Sequence, residues 1–197
     1  REFSALRRAH FLSLSRTSLS RSKVVRFASD GRLRLIDLDA AVVLSGDTVL
    51  GAKFSSGTLP PEMIYELAND EELRKFEGYW REDKESDTAL WRKIAPKSKF
   101  VVKTHRTIDN KPDRSRPLPF ALVEATPAID HWALGALFFL LVAGETLVPS
   151  NRDDDCVDDI AMGTLCRWND ETTRRRLDKV DDIGARDLLS RLLAVDP

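Results

Sequence analysis

Two short apolar runs, Lys23-Val24-Val25-Arg26-Phe27 and Leu33-Arg34-Leu35-Ile36-Asp37, flank the polar triplet Ser29-Asp30-Gly31. Asp-Gly between two such runs predicts a β-hairpin, because glycine takes the positive φ that the turn requires. Residues 40–60 are small, polar and spaced by glycine, which predicts a loop with one short strand at Ala41–Leu44. Pro60-Pro61-Glu62 predicts the opening of a helix over Met63–Leu67, since proline suits a first helical turn. A charged, helix-rich stretch follows over about 70–94, then a strand at Phe100–Lys103 and a polar, proline-containing loop over 105–119. Ala5–Leu14 has weak helical spacing, and Arg16–Ser22 reads as a polar connector.

The longest apolar run is Trp132–Ala143. A membrane span needs about 20 such residues, so a run this short predicts a helix buried in a protein core. Asp130 is placed to cap its start and Gly144 to stop it. Asn169 or Asp170 is expected to cap a helix ending at Leu177. A last helix over Gly184–Leu193 puts Leu188, Leu189, Leu192 and Leu193 on one face. There are no internal repeats.

Composition narrows the class. The 197 residues are 42% hydrophobic and 32% charged, with a net charge of −1. That is enough apolar material for a core, and no overall electrostatic pull toward nucleic acid or membrane is implied. Residues 1–29 are nevertheless basic and almost free of acids, loosely similar to a mitochondrial transit peptide, while Asp153–Asp182 is acid-rich. Cys156 and Cys166 match no zinc spacing, and His10, His105 and His131 are scattered. Two free thiols fit a reducing compartment, so a cytoplasmic setting is expected.

Four pieces recur in an order that carries meaning. Leu35-Ile36-Asp37-Leu38-Asp39-Ala40 reads as a strand delivering an aspartate into a loop. Ser56-Gly57-Thr58-Leu59-Pro60-Pro61-Glu62 follows about 20 residues later. Asp130-His131-Trp132-Ala133-Leu134-Gly135 opens the apolar helix, and Ala185-Arg186-Asp187-Leu188-Leu189 leads the closing stretch to Pro197. This series resembles the C-terminal lobe of eukaryotic-type protein kinases, of the Ser/Thr-like kind. The likeness covers about 23–197, with residues 63–127 as a long insertion and residues 1–22 as an unassigned basic segment. It implies a mainly α fold with a small β-hairpin, incomplete, with the N-terminal lobe absent and the chain cut at both ends.

The resemblance also implies roles. Asp37 matches the Mg²⁺-holding aspartate of the D-F-G motif, with Leu38 for the phenylalanine. Asp39 stands where the motif has glycine; it adds a negative charge near the metal and is a second candidate ligand. Thr58, Pro61 and Glu62 match the end of the activation segment, Thr58 favouring Ser/Thr specificity. In the family that glutamate pairs with an arginine a few residues past the point where this sequence ends. A buried carboxylate stripped of its partner costs roughly 3–5 kcal/mol, so Glu62 is expected to be unpaired or exposed. Asp130, Trp132 and Gly135 take architectural roles in the central helix. The resemblance implies ATP and Mg²⁺ as the family's cofactors and a protein as substrate or bound partner.

The catalytic loop is the departure. Counting back from Val24, the H-R-D-x-x-x-x-N pattern falls on Arg16, Thr17, Ser18 and Lys23, and only Leu19 fits. No Asp or Glu lies between Phe3 and Ser29. A hydroxyl at Ser18 cannot replace the carboxylate that accepts the substrate proton, so no catalytic residue is assigned and this chain is expected to bind neither ATP nor Mg²⁺ by itself. The N-lobe glycine loop and lysine strand are also missing. Phosphate on Ser45, Thr48, Ser55 or Ser56 usually docks on the catalytic-loop arginine, which is Thr17 here, so phosphorylation is not expected to switch the chain on. Two origins fit: a pseudokinase scaffold whose loop has decayed, or an active parent kinase to which residues 1–22 do not belong. A helical adaptor with chance motifs is the third reading.

Overall fold

The helices begin where short polar side chains can satisfy free backbone amides. In the computed structural model, which describes residues 14–16, 24–26, 29, 31–35, 41–43, 48–109 and 111–195, five α-helices have such caps. Asn69 accepts from the amides of Glu71 and Glu72 at the start of α1 (Asp70–Tyr79). The acids in that first turn also suit the positive end of the helix dipole. A short helix α2 (Arg81–Ser86) follows. Asp87 caps α3 (Thr88–Ile94), Asp158 caps α5 (Asp159–Cys166), Asn169 caps α6 (Asp170–Leu177) and Asp182 caps α7 (Ile183–Leu192). Each such cap stabilises its helix by about 1 kcal/mol.

The central helix α4 (Pro127–Ala143) starts differently. Pro127 occupies its first turn, Thr126 is the capping position, and Asp130 lies one turn inside. The expected Asp130 cap is therefore corrected: proline fixes the start four residues earlier because its missing N–H costs nothing there. Gly144 ends the helix at φ 72°. α4 buries Ile129, Trp132, Ala133, Gly135, Ala136 and Phe139 but leaves Leu134 and Leu141 exposed, Leu141 at 72%. It is thus buried along one side, not all round as its composition predicted.

Among the described residues the β-structure is four two-stranded antiparallel ribbons, more than the one hairpin expected. β1 (Leu14–Arg16) pairs with β4 (Ala41–Val43), and β2 (Val24–Arg26) pairs with β3 (Leu33–Leu35). Gly31 sits at φ 66° in the turn between β2 and β3. β5 (Ile64–Glu66) pairs with β6 (Phe100–Val102). The helix expected over Met63–Leu67 is corrected: Pro61–Met63 is a single 3-10 turn, and the β-branched and aromatic Ile64-Tyr65 enters a strand because Val101 and Val102 stand opposite. The expected loop over 105–119 contains the ribbon of β7 (Thr107–Ile108) and β8 (Lys111–Pro112).

One contiguous core joins α4 to the 63–127 stretch. Trp132, Phe139, Leu165 and Leu189 belong to it together with Met63, Phe76, Tyr79, Ile94 and Val101. Of the four leucines expected on one face of the last helix, Leu189 and Leu193 are fully buried, Leu192 is half-buried and Leu188 is exposed. The Tyr79 hydroxyl donates to the Asp113 carbonyl at 2.9 Å and accepts from the Arg106 amide at 3.0 Å. The Arg106 guanidinium reaches Glu82 at 3.1 Å, with Asp83 and Asp113 each at 3.6 Å. No helix among the described residues is long and apolar enough to cross a membrane.

Candidate functional site

The ribbon register organises the front of the chain. Arg16 pairs with Ala41, and Val24 pairs with Leu35. The connection from β1 to β2 and the connection from β3 to β4 therefore share both ends: each leaves one ribbon and enters the other at a paired residue. The first carries Ser18 and the second carries Asp37 and Asp39. These three residues themselves lie outside the described residues.

The segment from Thr48 to Met63 is anchored at several points. Leu50 N–H donates to the Val123 carbonyl and Ala125 N–H to the Thr48 carbonyl, both at 2.9 Å. The Thr104 hydroxyl donates to the Gly51 carbonyl. The His105 imidazole is buried beside the Leu50 backbone, and its Nδ1 has no partner. Burial holds the His105 pKa below its ordinary value, the Leu50 contact opposing it.

A 3-10 turn at Ser56–Thr58 follows. Ser56 N–H and its hydroxyl donate to Asp155 Oδ1 at 2.9 and 3.3 Å, and the Ser56 oxygen accepts from Cys156 N–H at 2.9 Å. Gly57 N–H donates to the Asp154 carbonyl at 2.8 Å. Gly57 has no room for a side chain: a Cβ there would lie 2.2 Å from Ser150 Oγ and 2.7 Å from the Asp154 carbonyl oxygen. The Thr58 hydroxyl donates to the Ser55 carbonyl at 3.0 Å.

Pro61 is buried in the next 3-10 turn, while Glu62 is exposed. Glu62 forms no ion pair among the described residues. Desolvation nevertheless pushes its pKa up, opposed by its own backbone amide and by Lys103. The residue as a whole is open to water and lines a recess of about 230 Å³ with Pro60, His131, Trp132, Arg191 and Val195. That volume is below the roughly 300–1,000 Å³ of small-molecule sites, too small for a nucleotide, and its wall carries an acid, Glu62, and a base, Arg191.

Trp132 is buried beside this recess and meets Trp168 edge-on, with centroids 5.3 Å apart; its Nε1 has no partner. A Cβ on Gly135 would lie 2.9 Å from Leu193 Cδ2 and 3.0 Å from Leu192 Cβ. Gly135 is thus the point where α7 crosses α4. Asp130 is half-buried in the first turn of α4. Cys156 and Cys166 are free thiols, and burial pushes the Cys156 thiol up to about 11.

A larger open groove of about 780 Å³ lies between Val49 and the stretch from Asp113 to Glu124, with Arg114, Arg116 and Phe120 along it. The sequence pointed to Thr58, Glu62, Trp132 and Gly135. It did not point to Asp155, Thr104 or His105, whose partners lie about 50 to 100 residues away. No protein-family model matches the chain, and no curated protein sequence matches it significantly.

Proposed function

We propose that residues 23–197 form a protein kinase C-terminal lobe of the Ser/Thr-like kind, with 63–127 as an insertion, and that this chain alone does not transfer phosphoryl groups. The observation that carries the reading is the shared ends of the two connections, Arg16 with Ala41 and Val24 with Leu35. Phosphoryl transfer requires a metal-holding carboxylate and a base facing one acceptor. The Asp37 connection and the one counted to the catalytic loop, which this chemistry needs together, run between the same two ribbons.

In this reading Asp37, with Asp39, is the metal-side group, and Mg²⁺ would neutralise phosphate charge there. Ser18 in the base position leaves the substrate hydroxyl without a proton acceptor. The test is thermal unfolding with and without Mg-ATP. No stabilisation of this chain is expected, whereas a site filled at about 100 times its Kd would add about 2.7 kcal/mol. Stabilisation abolished by Asp37→Ala would overturn the expectation that this chain binds no Mg-ATP. Sequencing the transcript upstream of Lys23 tests the parentage: an in-frame H-x-D-x-K-x-x-N joined there supports an active parent.

The second reading is a pseudokinase scaffold that holds a protein partner in the cytoplasm. The open groove between Val49 and the 113–124 stretch favours it, since Arg114, Arg116 and Phe120 along it are of the residue types enriched at protein interfaces. Absence of the catalytic loop from the transcript, with a retained partner, selects this reading.

A further inference from the structure

If residues 36–62 are an activation segment, as proposed above, something must fix its position. Phosphate on such a segment docks on an arginine, and position 17 holds threonine. We infer that residues 48–58 are latched by the protein itself, with Asp155 as the positioning residue, so that the segment is set without phosphorylation.

The geometry supplies the latch at both ends. At the upstream end, backbone bonds from Thr48 and Leu50 to 123–125 and the Thr104 hydroxyl on Gly51 fix the strand-like part. At the downstream end, one carboxylate oxygen of Asp155 takes both donors of Ser56, and the Ser56 oxygen takes Cys156 N–H. The other Asp155 oxygen lies 3.6 Å from Lys93 Nζ, which in turn stands 5.1 Å from the Phe54 ring centroid. α3, from the insertion, therefore braces the same carboxylate that holds Ser56. The loop presenting Asp155 is itself fixed, since Asn151 Oδ1 accepts from the amides of Asp153 and Asp155 at 2.9 and 3.0 Å.

Charge-assisted hydrogen bonds to a carboxylate are about twice as strong as neutral ones. Ser56 is 4% exposed, so a modifying enzyme cannot reach it in the folded state. A phosphate there would face the Asp155 carboxylate, and two like charges in hydrogen-bond range repel. Ser56 is a structural hydroxyl, and Asp155 does for this segment what a phosphate does elsewhere.

Amide hydrogen exchange resolved by residue on unphosphorylated protein tests this directly. Ser56, Gly57 and Cys156 should be protected without any modification. Asp155→Ala should speed their exchange at least tenfold while Ala136 and Phe139 in α4 stay unchanged, and Asp155→Asn, which keeps an acceptor oxygen, should restore most of the protection. If Asp155→Ala does not fold, Lys93→Met decides: exchange about threefold faster at Ser56 supports the latch, and no change overturns it. Unprotected Ser56 and Gly57 in the wild type, or exchange slowed by phosphorylating the segment, would also overturn it. This measurement reads the latch whether or not a parent kinase binds nucleotide, so its failure is separate from a negative transcript result.

Discussion

Gly135 of α4 and Leu193, the residue that ends α7, approach so closely that a single methyl group on the glycine would stand 2.9 Å from the leucine Cδ2. The crossing of the central and last helices is set by that absence of a side chain. Gly135→Ala should gain a little helix propensity and lose more by forcing the helices apart. Overpacking of this kind costs about 1–3 kcal/mol, to be read as a lower urea midpoint with unchanged slope.

Tyr79→Phe isolates the knot that ties the 105–119 stretch to α1. The hydroxyl serves one carbonyl and one amide, of Asp113 and Arg106. Removing it leaves both without that partner in a buried place, at a cost of about 1–3 kcal/mol each if water cannot enter. Chemical denaturation should show a loss of at least 1 kcal/mol, and exchange at the Arg106 amide should rise.

Acid should weaken the fold through His105. Its folded pKa is lowered by burial, so between the ordinary histidine value and that lowered value the unfolded chain binds more protons. Stability contributed by the neutral imidazole is present above pH about 6.5 and is lost as pH falls, at no more than about 1.4 kcal/mol per pH unit. Glu62, whose pKa is raised, acts in the opposite sense and nearer the carboxylate range. Melting temperatures between pH 7.5 and 5.5 should fall in the wild type and fall less in His105→Gln.

Neither thiol should react readily in the native state. Burial raises both the Cys156 and Cys166 pKa values, and the thiolate is the nucleophile. A disulfide reagent at pH 7.5 should label Cys166, the less buried, ahead of Cys156, and both should label quickly in denaturant. Rapid native labelling of Cys156 would contradict the packing around Ser56.

Capping signals and apolar spacing were legible because they act over three or four residues. Asn169, Gly144, the hairpin turn at Gly31 and the strand near Phe100 all follow from such local rules. Met63–Leu67 was misread because proline and a following apolar run predict a helix locally, while the partner that makes Ile64–Glu66 a strand lies past residue 99. Exposed Leu141 was misread for the converse reason: composition names an apolar helix without saying which side meets the core. Asp155 looked like one acid among several in a solvated run. Only Ser56, brought from far upstream, distinguishes it, and the same distance hid Thr104 and His105.

The reach between Ser56 and Cys156 spans 100 positions of sequence, and that sets an order of events during synthesis. Translation adds roughly 5–20 residues per second, so for roughly 5–20 s after Ser56 is made, the groups that will hold it do not yet exist. Through that interval the Ser56–Thr58 turn is a part waiting for its counterpart, and once clear of the ribosome its Ser56 hydroxyl is open to modification until Asp155 and Cys156 arrive.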